Sequence, residues 1–260
     1  MSFLPANLQP LLEHVPVYVL TAFRVAGLML YSPLFGSSRI PSRAKVMLVL
    51  VMTVGLLQLP MPEAQLPETL GGLVLAIGGE MLFGVAMGLV ASLVFIAAQW
   101  AGEMIGQQLG FNLSEVFDPQ FSGGGSIIGD LYFVLTIVVF LIVGGHREMV
   151  LGVADSIQRV PPGTMLMNVG LFEMVIDMLM SVMLVAMRIA APVFVTMLIV
   201  DVAMGCIGRT MPQLNVMSAG LSIRAVVGML VLALGMMIGT TVLHDAVVEA
   251  LTAYRVLHGF

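Results

Sequence analysis

Eight ionisable side chains stand inside otherwise apolar stretches: Arg24, Glu80, Asp130, Glu173, Asp177, Arg188, Asp201 and Arg224. On an insertion scale each costs ~2.5–3.5 kcal/mol at mid-membrane, so eight unpaired charges would total about 20 kcal/mol. They must be paired, lie near a membrane edge, face water, or be buried against other proteins. Glu173 and Asp177 are i,i+4 neighbours, and Arg188 lies eleven residues after Asp177, three helical turns along nearly the same face. Such a stripe can line a proton path, since intramembrane ionisable groups mark function. It can also make a salt-bridged contact with a neighbouring helix or subunit. No second chain of Asp, Glu or His falls in register to complete a relay, which favours the contact.

Other chemistries find less support. The four histidines, His14, His146, His244 and His258, are scattered singly, without H-E-x-x-H or another metal-ligand spacing. His244 and Asp245 adjoin, and a cap near a helix end or an interface contact is expected of them. The serines lack a G-x-S-x-G setting, and no G-x-x-x-x-G-K-[ST] is present. An enzyme reading has nothing to stand on, and no cofactor is expected. The single cysteine, Cys206, cannot close an internal disulfide and is expected to be a small buried hydrophobe. Methionine is abundant, with 23 residues, and is expected to fill irregular packing, with a yielding seal around a moving polypeptide as the alternative.

The stretch 106–129, GQQLGFNLSEVFDPQFSGGGSIIG, is neither a smooth helix nor a short polar turn. Phe111, Phe117 and Phe121 are interleaved with polar residues, and Asp118-Pro119 breaks the chain. Ser122 then leads into Gly123-Gly124-Gly125, where backbone freedom is maximal. Bulky aromatics on a glycine hinge suit a movable stopper in a pore. A re-entrant or surface loop suits the composition equally well.

The elements that must hold these residues are hydrophobic helices. Of 260 residues 59% are apolar and only 10% charged, with a mean hydropathy of +1.07. Twenty-five charged side chains cannot cover the surface of a soluble domain this size. Soluble globular proteins, disordered chains and nucleic-acid binders are thereby excluded, and the net charge of −5 forms no tail for a polyelectrolyte. The chain is an integral membrane protein in contact with lipid. Residues 1–14 lack a basic start, so no cleavable signal is expected.

Six apolar stretches run roughly over 15–35, 44–59, 70–98, 127–144, 169–200 and 214–243. Each approaches the ~20 residues that cross a bilayer as a helix. Proline and charge separate them at 37–43, 60–68, 159–163 and 208–212. All-α is the expected fold class, because backbone in lipid must satisfy itself internally. A simple six-span picture still fits poorly. Residues 70–109 contain no break, which makes about 60 Å of continuous helix, twice the hydrocarbon thickness. Loop positive charges do not alternate cleanly beyond Arg39, Arg43 and Lys45. The charges inside the apolar stretches are the third misfit.

The wording of the sequence goes further than its composition. RVAGLMLYSPLFGSSRIPSRAKVMLVL (24–50) carries Arg24, Gly27, Pro33, Phe35, Gly36 and Pro41 in the spacing of an N-terminal signature. GEMIGQQLGFNLSEVFDPQ (102–120) is similar to a central loop, and PVFVTMLIVDVAMGCIGRTMPQLNV (192–216) to a C-terminal signature containing Pro212, Gln213 and Asn215. Together these resemble the FliR family of type III export-gate proteins, over most of the chain. Met217 and Arg224 depart from the residues more usual there, Phe and Lys. Injectisome homologues share the last motif, so the flagellar assignment rests on the Asp118-Pro119 loop.

The resemblance implies a non-enzymatic subunit that assembles with FliP, FliQ and FlhB near FlhA in the bacterial inner membrane. The assembly is a closed helical conduit for unfolded flagellar substrates. It also implies a FliP-like part, residues 1–164, followed by a FliQ-like helical hairpin, residues 165–260. Assembled helices would sit largely on the periplasmic side, which would account for all three misfits. Glu80, Asp130, Glu173, Asp177, Arg188, Asp201 and Arg224 become candidates for contacts between subunits. The loop becomes a pore plug, with Phe111, Phe117, Phe121, Ser122 and Gly123–Gly125 as its working residues. The rival from another class is an ion-coupled secondary transporter using Glu173, Asp177 and Arg188. It would call for inverted repeats with paired broken helices, and no such self-similarity is visible.

Overall fold

The computed structural model describes residues 9–36, 40–56, 58, 69–111, 126–163, 169–211 and 216–257. Seven helices occur among them: α1 (Gln9–Tyr31), α2 (Ser42–Leu56), α3 (Leu70–Leu109), α4 (Ile127–Val143), α5 (Gly145–Arg159), α6 (Val169–Thr210) and α7 (Val216–Leu257). No strand occurs among the described residues. The fold is all-helical. Leu70–Leu109 and Ile176–Thr210 are each long and apolar enough to cross a membrane, and the number rises to four if two broken pairs each count as one span.

Local chemistry explains the helix ends. Thr69 Oγ1 accepts the Gly72 N–H at 3.1 Å and so caps the start of α3. At its other end Gly110 turns left-handed at φ 78°. The Gly110 N–H then reaches the Gln107 carbonyl and the Phe111 N–H the Gly106 carbonyl, both at 3.1 Å, which is a Schellman stop. Ser126 caps α4 by accepting the Gly129 N–H at 3.3 Å, with Asp130 in the favourable first turn. Gly144, at φ 82°, ends α4 and opens α5. Pro161-Pro162 and Gly163, at φ 92°, follow α5.

The helices run past several of the apolar stretches, and one helix has no such stretch. α6 continues to Thr210 and α7 to Leu257, beyond the ends marked at 200 and 243. The apolar runs stop at Asp201 and at His244-Asp245, but the helices carry on, with Asp201 paired to Arg224 and Arg255 to Glu148. α5 carries no long apolar run. It is amphipathic rather than apolar, and buries Gly145, Met149, Gly152, Val153, Ser156 and Ile157 at helical spacing.

The chain divides into two compact units. The first comprises Met1–Ser92, Gly144–Asp177 and Ala250–Phe260. Its core holds Leu20, Val25, Leu28, Phe83, Met87, Val153 and Tyr254. α1 and the first half of α3 approach backbone to backbone, since a methyl on Gly27, Gly84 or Gly88 would strike main-chain atoms of the other helix. Small residues four apart permit such contact between apolar helices. The end of α7 is fastened to α5 in this unit. The Tyr254 hydroxyl donates to the Met149 carbonyl at 2.9 Å, and Arg255 pairs with Glu148 at 2.8 Å.

The second unit comprises Leu93–Val143 and Met178–Glu249. Its core is built from Ala98, Ala101, Ile105, Leu109, Ile128, Tyr132, Ala186, Ile189, Ala190, Val193, Met197 and Leu243. Here too glycine sets the spacing. A Cβ on Gly102 would lie 2.6 Å from the Ile128 carbonyl oxygen, so α3 and α4 touch through Gly102 and Gly129. Phe95 packs edge-on against Phe140 with ring centres 5.3 Å apart.

Candidate functional site

The strongest polar constellation lies within the first unit. Arg24 and Glu80 are both fully buried and pair at 2.6 Å between Nε and Oε2. The rest of the guanidinium is also engaged. Nη1 donates to Ser156 Oγ at 3.2 Å, Nη2 to the Val160 carbonyl at 3.1 Å, and the group lies 5.0 Å from the Phe83 ring centre. Glu80 Oε1 accepts the Gly163 N–H at 3.0 Å. One pair thus ties α1, α3, α5 and the turn after α5 together. A buried charge is tolerable only when paired and hydrogen-bonded on every side, and this one is.

The N-terminal signature residues include Arg24 itself and otherwise shape α1 and the chain that follows it. Gly27 gives the close helix approach, and Pro33, Phe35 and Gly36 form the turn after α1. Lys45 Nζ donates to the Gly36 carbonyl at 2.9 Å and closes this turn onto α2. The Pro41 carbonyl accepts the N–H groups of Ala44 and Lys45 and so starts α2.

In the second unit Arg224 pairs with Asp201, joining α7 to α6, with both side chains 39% exposed. Asp130 is exposed in the first turn of α4, and Arg188 is exposed along α6. Asp177, assigned to the first unit, is exposed on its part of α6. Glu173 falls within α6, but its side chain lies outside the described ones. Of the plug residues, Phe111 stands just past the Schellman stop of α3, half-exposed. Phe117, Asp118, Pro119, Phe121, Ser122 and Gly123–Gly125 lie outside the described residues, as do Pro212, Gln213 and Asn215.

Two expectations are corrected. Cys206 is exposed, because it falls on an outward face of the extended α6 and not in its packed one. His244 and Asp245 touch at 3.5 Å, but in the interior of α7 and in the open, so they cap nothing.

One feature escaped the sequence reading. A cavity of about 240 Å³ opens in the second unit between Trp100, Glu103, Met104 and Gln107 of α3 and Met183, Ala186 and Met187 of α6. The signal was present in the spacing: 100, 103, 104 and 107 share one helix face, as do 183, 186 and 187. Spacing on each helix cannot show that the two faces meet, and Glu103 lies past the apolar stretch 70–98. No group of three or more His, Cys, Asp or Glu suited to a metal occurs among the described residues.

Long apolar helices held by glycine contacts and by charges paired between helices define an integral membrane protein. The comparisons make the class specific. The chain belongs to the bacterial export proteins, family 1, which it matches across residues 15–250. It is similar to the flagellar biosynthetic protein FliR of Bacillus subtilis (strain 168), at 26% identity over 85% of this chain and 86% of that protein. The flagellar biosynthetic protein FliR of Escherichia coli (strain K12) is 25% identical over 85% of each chain. That of Pectobacterium carotovorum subsp. carotovorum is 28% identical over 81% of this chain and 80% of its own length. A FliR-family member is a non-enzymatic component of the bacterial flagellar export apparatus.

Proposed function

We propose that this chain builds, together with FliP and FliQ, the channel through which unfolded flagellar proteins leave the cytoplasm, next to FlhB and FlhA. Residues 1–164 form its FliP-like part and 165–260 its FliQ-like hairpin, and the assembled helices lie largely on the periplasmic side of the inner membrane. Phe111, Phe117 and Phe121 stop the conduit, and Gly123–Gly125 let them withdraw.

The observation that carries the reading is the outward surface of α6 and α7. Leu179, Met180, Met183, Leu184, Met187, Leu198, Ile199 and Val202 on α6 are exposed, as are Val226, Met229, Leu230, Leu234 and Met237 on α7. Only a third of the most apolar window of α6 is buried within the chain, against two thirds for α3. Apolar surface on that scale, carrying an exposed Arg188 without an ion pair among the described residues, suits packing against further helices better than lipid alone.

Expression with FliP and FliQ is the first test. A stable complex supports the reading, and a chain that purifies alone and transports ions overturns it. Deleting residues 111–125 tests the plug. An apolar constriction holds back ions by dewetting, so the deleted complex should assemble and leak ions in conductance recordings. Replacing the three glycines by proline should suppress export without a leak. If the deletion complex is as ion-tight as its parent, the segment is a surface loop and the seal lies elsewhere.

A further inference from the structure

The cavity between α3 and α6 in the second unit has an unusual lining. Trp100 is 45% exposed, Met183 53% and Met187 52%, so large apolar surfaces form its mouth. Among these stands one carboxylate, Glu103, half-buried and without an ion pair among the described residues. Gln107, one turn further on, is the other polar group in the wall. A partly desolvated carboxylate beside an indole ring and two thioethers is complementary to one kind of side chain. The carboxylate pairs with a cation, the indole face attracts it, and the methionines accept an aliphatic stem. A cavity of about 240 Å³ has room for a single long side chain.

From this we infer that the cavity is a socket for a lysine or arginine side chain presented by a helix of another subunit of the export apparatus. The inference rests on the assembly proposed above and adds to it a specific contact. Four of the chain's ten cations are held elsewhere. Arg24, Arg224 and Arg255 are held by Glu80, Asp201 and Glu148, and Lys45 by the Gly36 carbonyl. The segment 112–125, which follows directly on Phe111, reads NLSEVFDPQFSGGG and contains no cation. Arg188, next in sequence to Met187, makes no ion pair with Glu103 in this structure.

The experiment uses the full chain expressed with its partner subunits and purified as a complex. A photo-crosslinking amino acid in place of Met183 identifies the neighbour by mass spectrometry. The expected product lies within a turn of a lysine or arginine on a partner helix. Glu103→Lys should lower recovery of the complex about tenfold or more, because it sets two cations together in a site removed from water. Glu103→Gln should lower it less. Reversing the crosslinked partner residue to glutamate should restore the Glu103→Lys complex toward the parent yield, which a mere folding defect would not allow.

Several outcomes overturn the socket. One is a Glu103→Lys complex recovered at the parent level. Another is a failure of the reversed partner to rescue it. A third is crosslinking confined to lipid, to an exported polypeptide or to residues 112–125. An Arg188→Gln variant that reproduces the Glu103→Gln loss, with no added effect in the double variant, overturns it too, by making the cation the chain's own. If the unaltered chain recovers no partner subunit, both the assembly and the socket fall. If it recovers them but Glu103→Lys is harmless, only the socket falls.

Discussion

Gly88 lies where the backbone of α3 meets that of α1, and one added methyl tests how closely they are held. A Cβ there would stand 2.6 Å from the Leu28 carbonyl oxygen and 3.3 Å from the Leu28 carbonyl carbon and Cα. Ordinary contact begins at 3.4 Å, so the two helices must part locally by about 0.8 Å. The obstacle is main chain, which has no rotamer to change. One turn away, a methyl on Gly84 would meet the Arg24 carbonyl, and the Arg24–Glu80 pair at 2.6 Å spans the same crossing. Parting the helices therefore stretches a buried ion pair as well.

Overpacking of this kind costs about 1–3 kcal/mol. Exchanging glycine for alanine within a helix returns roughly 0.5–1 kcal/mol by itself. Gly78→Ala is the matched control, because nothing lies within 4 Å of its added methyl. The difference between the two variants removes the helix term and isolates the packing term, expected at about 1–3 kcal/mol. Unfolding of each purified variant in mixed detergent, followed by far-UV circular dichroism against SDS fraction, reads it directly. Gly78→Ala should be as stable as the parent or better, and Gly88→Ala should unfold earlier. Equal stability of the two variants would refute the claim that α1 and α3 touch through their backbones.

Arg24→Met should destabilise the first unit by about 3–5 kcal/mol, since it leaves Glu80 buried and alone. Adding Glu80→Leu should recover much of that loss in the same unfolding assay, because two well-packed apolar side chains need no counter-charge. Tyr254→Phe should cost about 0.5–1.5 kcal/mol by deleting the hydrogen bond to the Met149 carbonyl, and hydrogen exchange should report faster fraying at the end of α7. Reversing the charge of exposed Arg188 should reduce recovery of the export complex more than conductance of whatever assembles. Unchanged assembly with lost transport would place Arg188 in the transport path instead.

Composition alone determined that this is an integral membrane protein, because 25 charged residues cannot solvate the surface of 260. The ordered wording of three segments was enough to point to the FliR family. Helix positions followed largely from apolar runs, since in lipid the helix is the cheapest way to satisfy a backbone. Tertiary structure decided what the charges do. Arg24 and Glu80 are 56 residues apart and belong to different helices, so no local spacing reveals that they pair. Gly27, Gly84 and Gly88 read as ordinary glycines until two backbones are seen to meet there. The amphipathic α5 was legible through its period but hidden from a search for long apolar runs. Glu103 likewise gained meaning only once α3 and α6 placed Trp100 and Met183 around it. A sequence records which side chains share a helix face, whereas the meaning of a charge or a glycine depends on what faces it across the helix boundary. Only packing between helices supplies that.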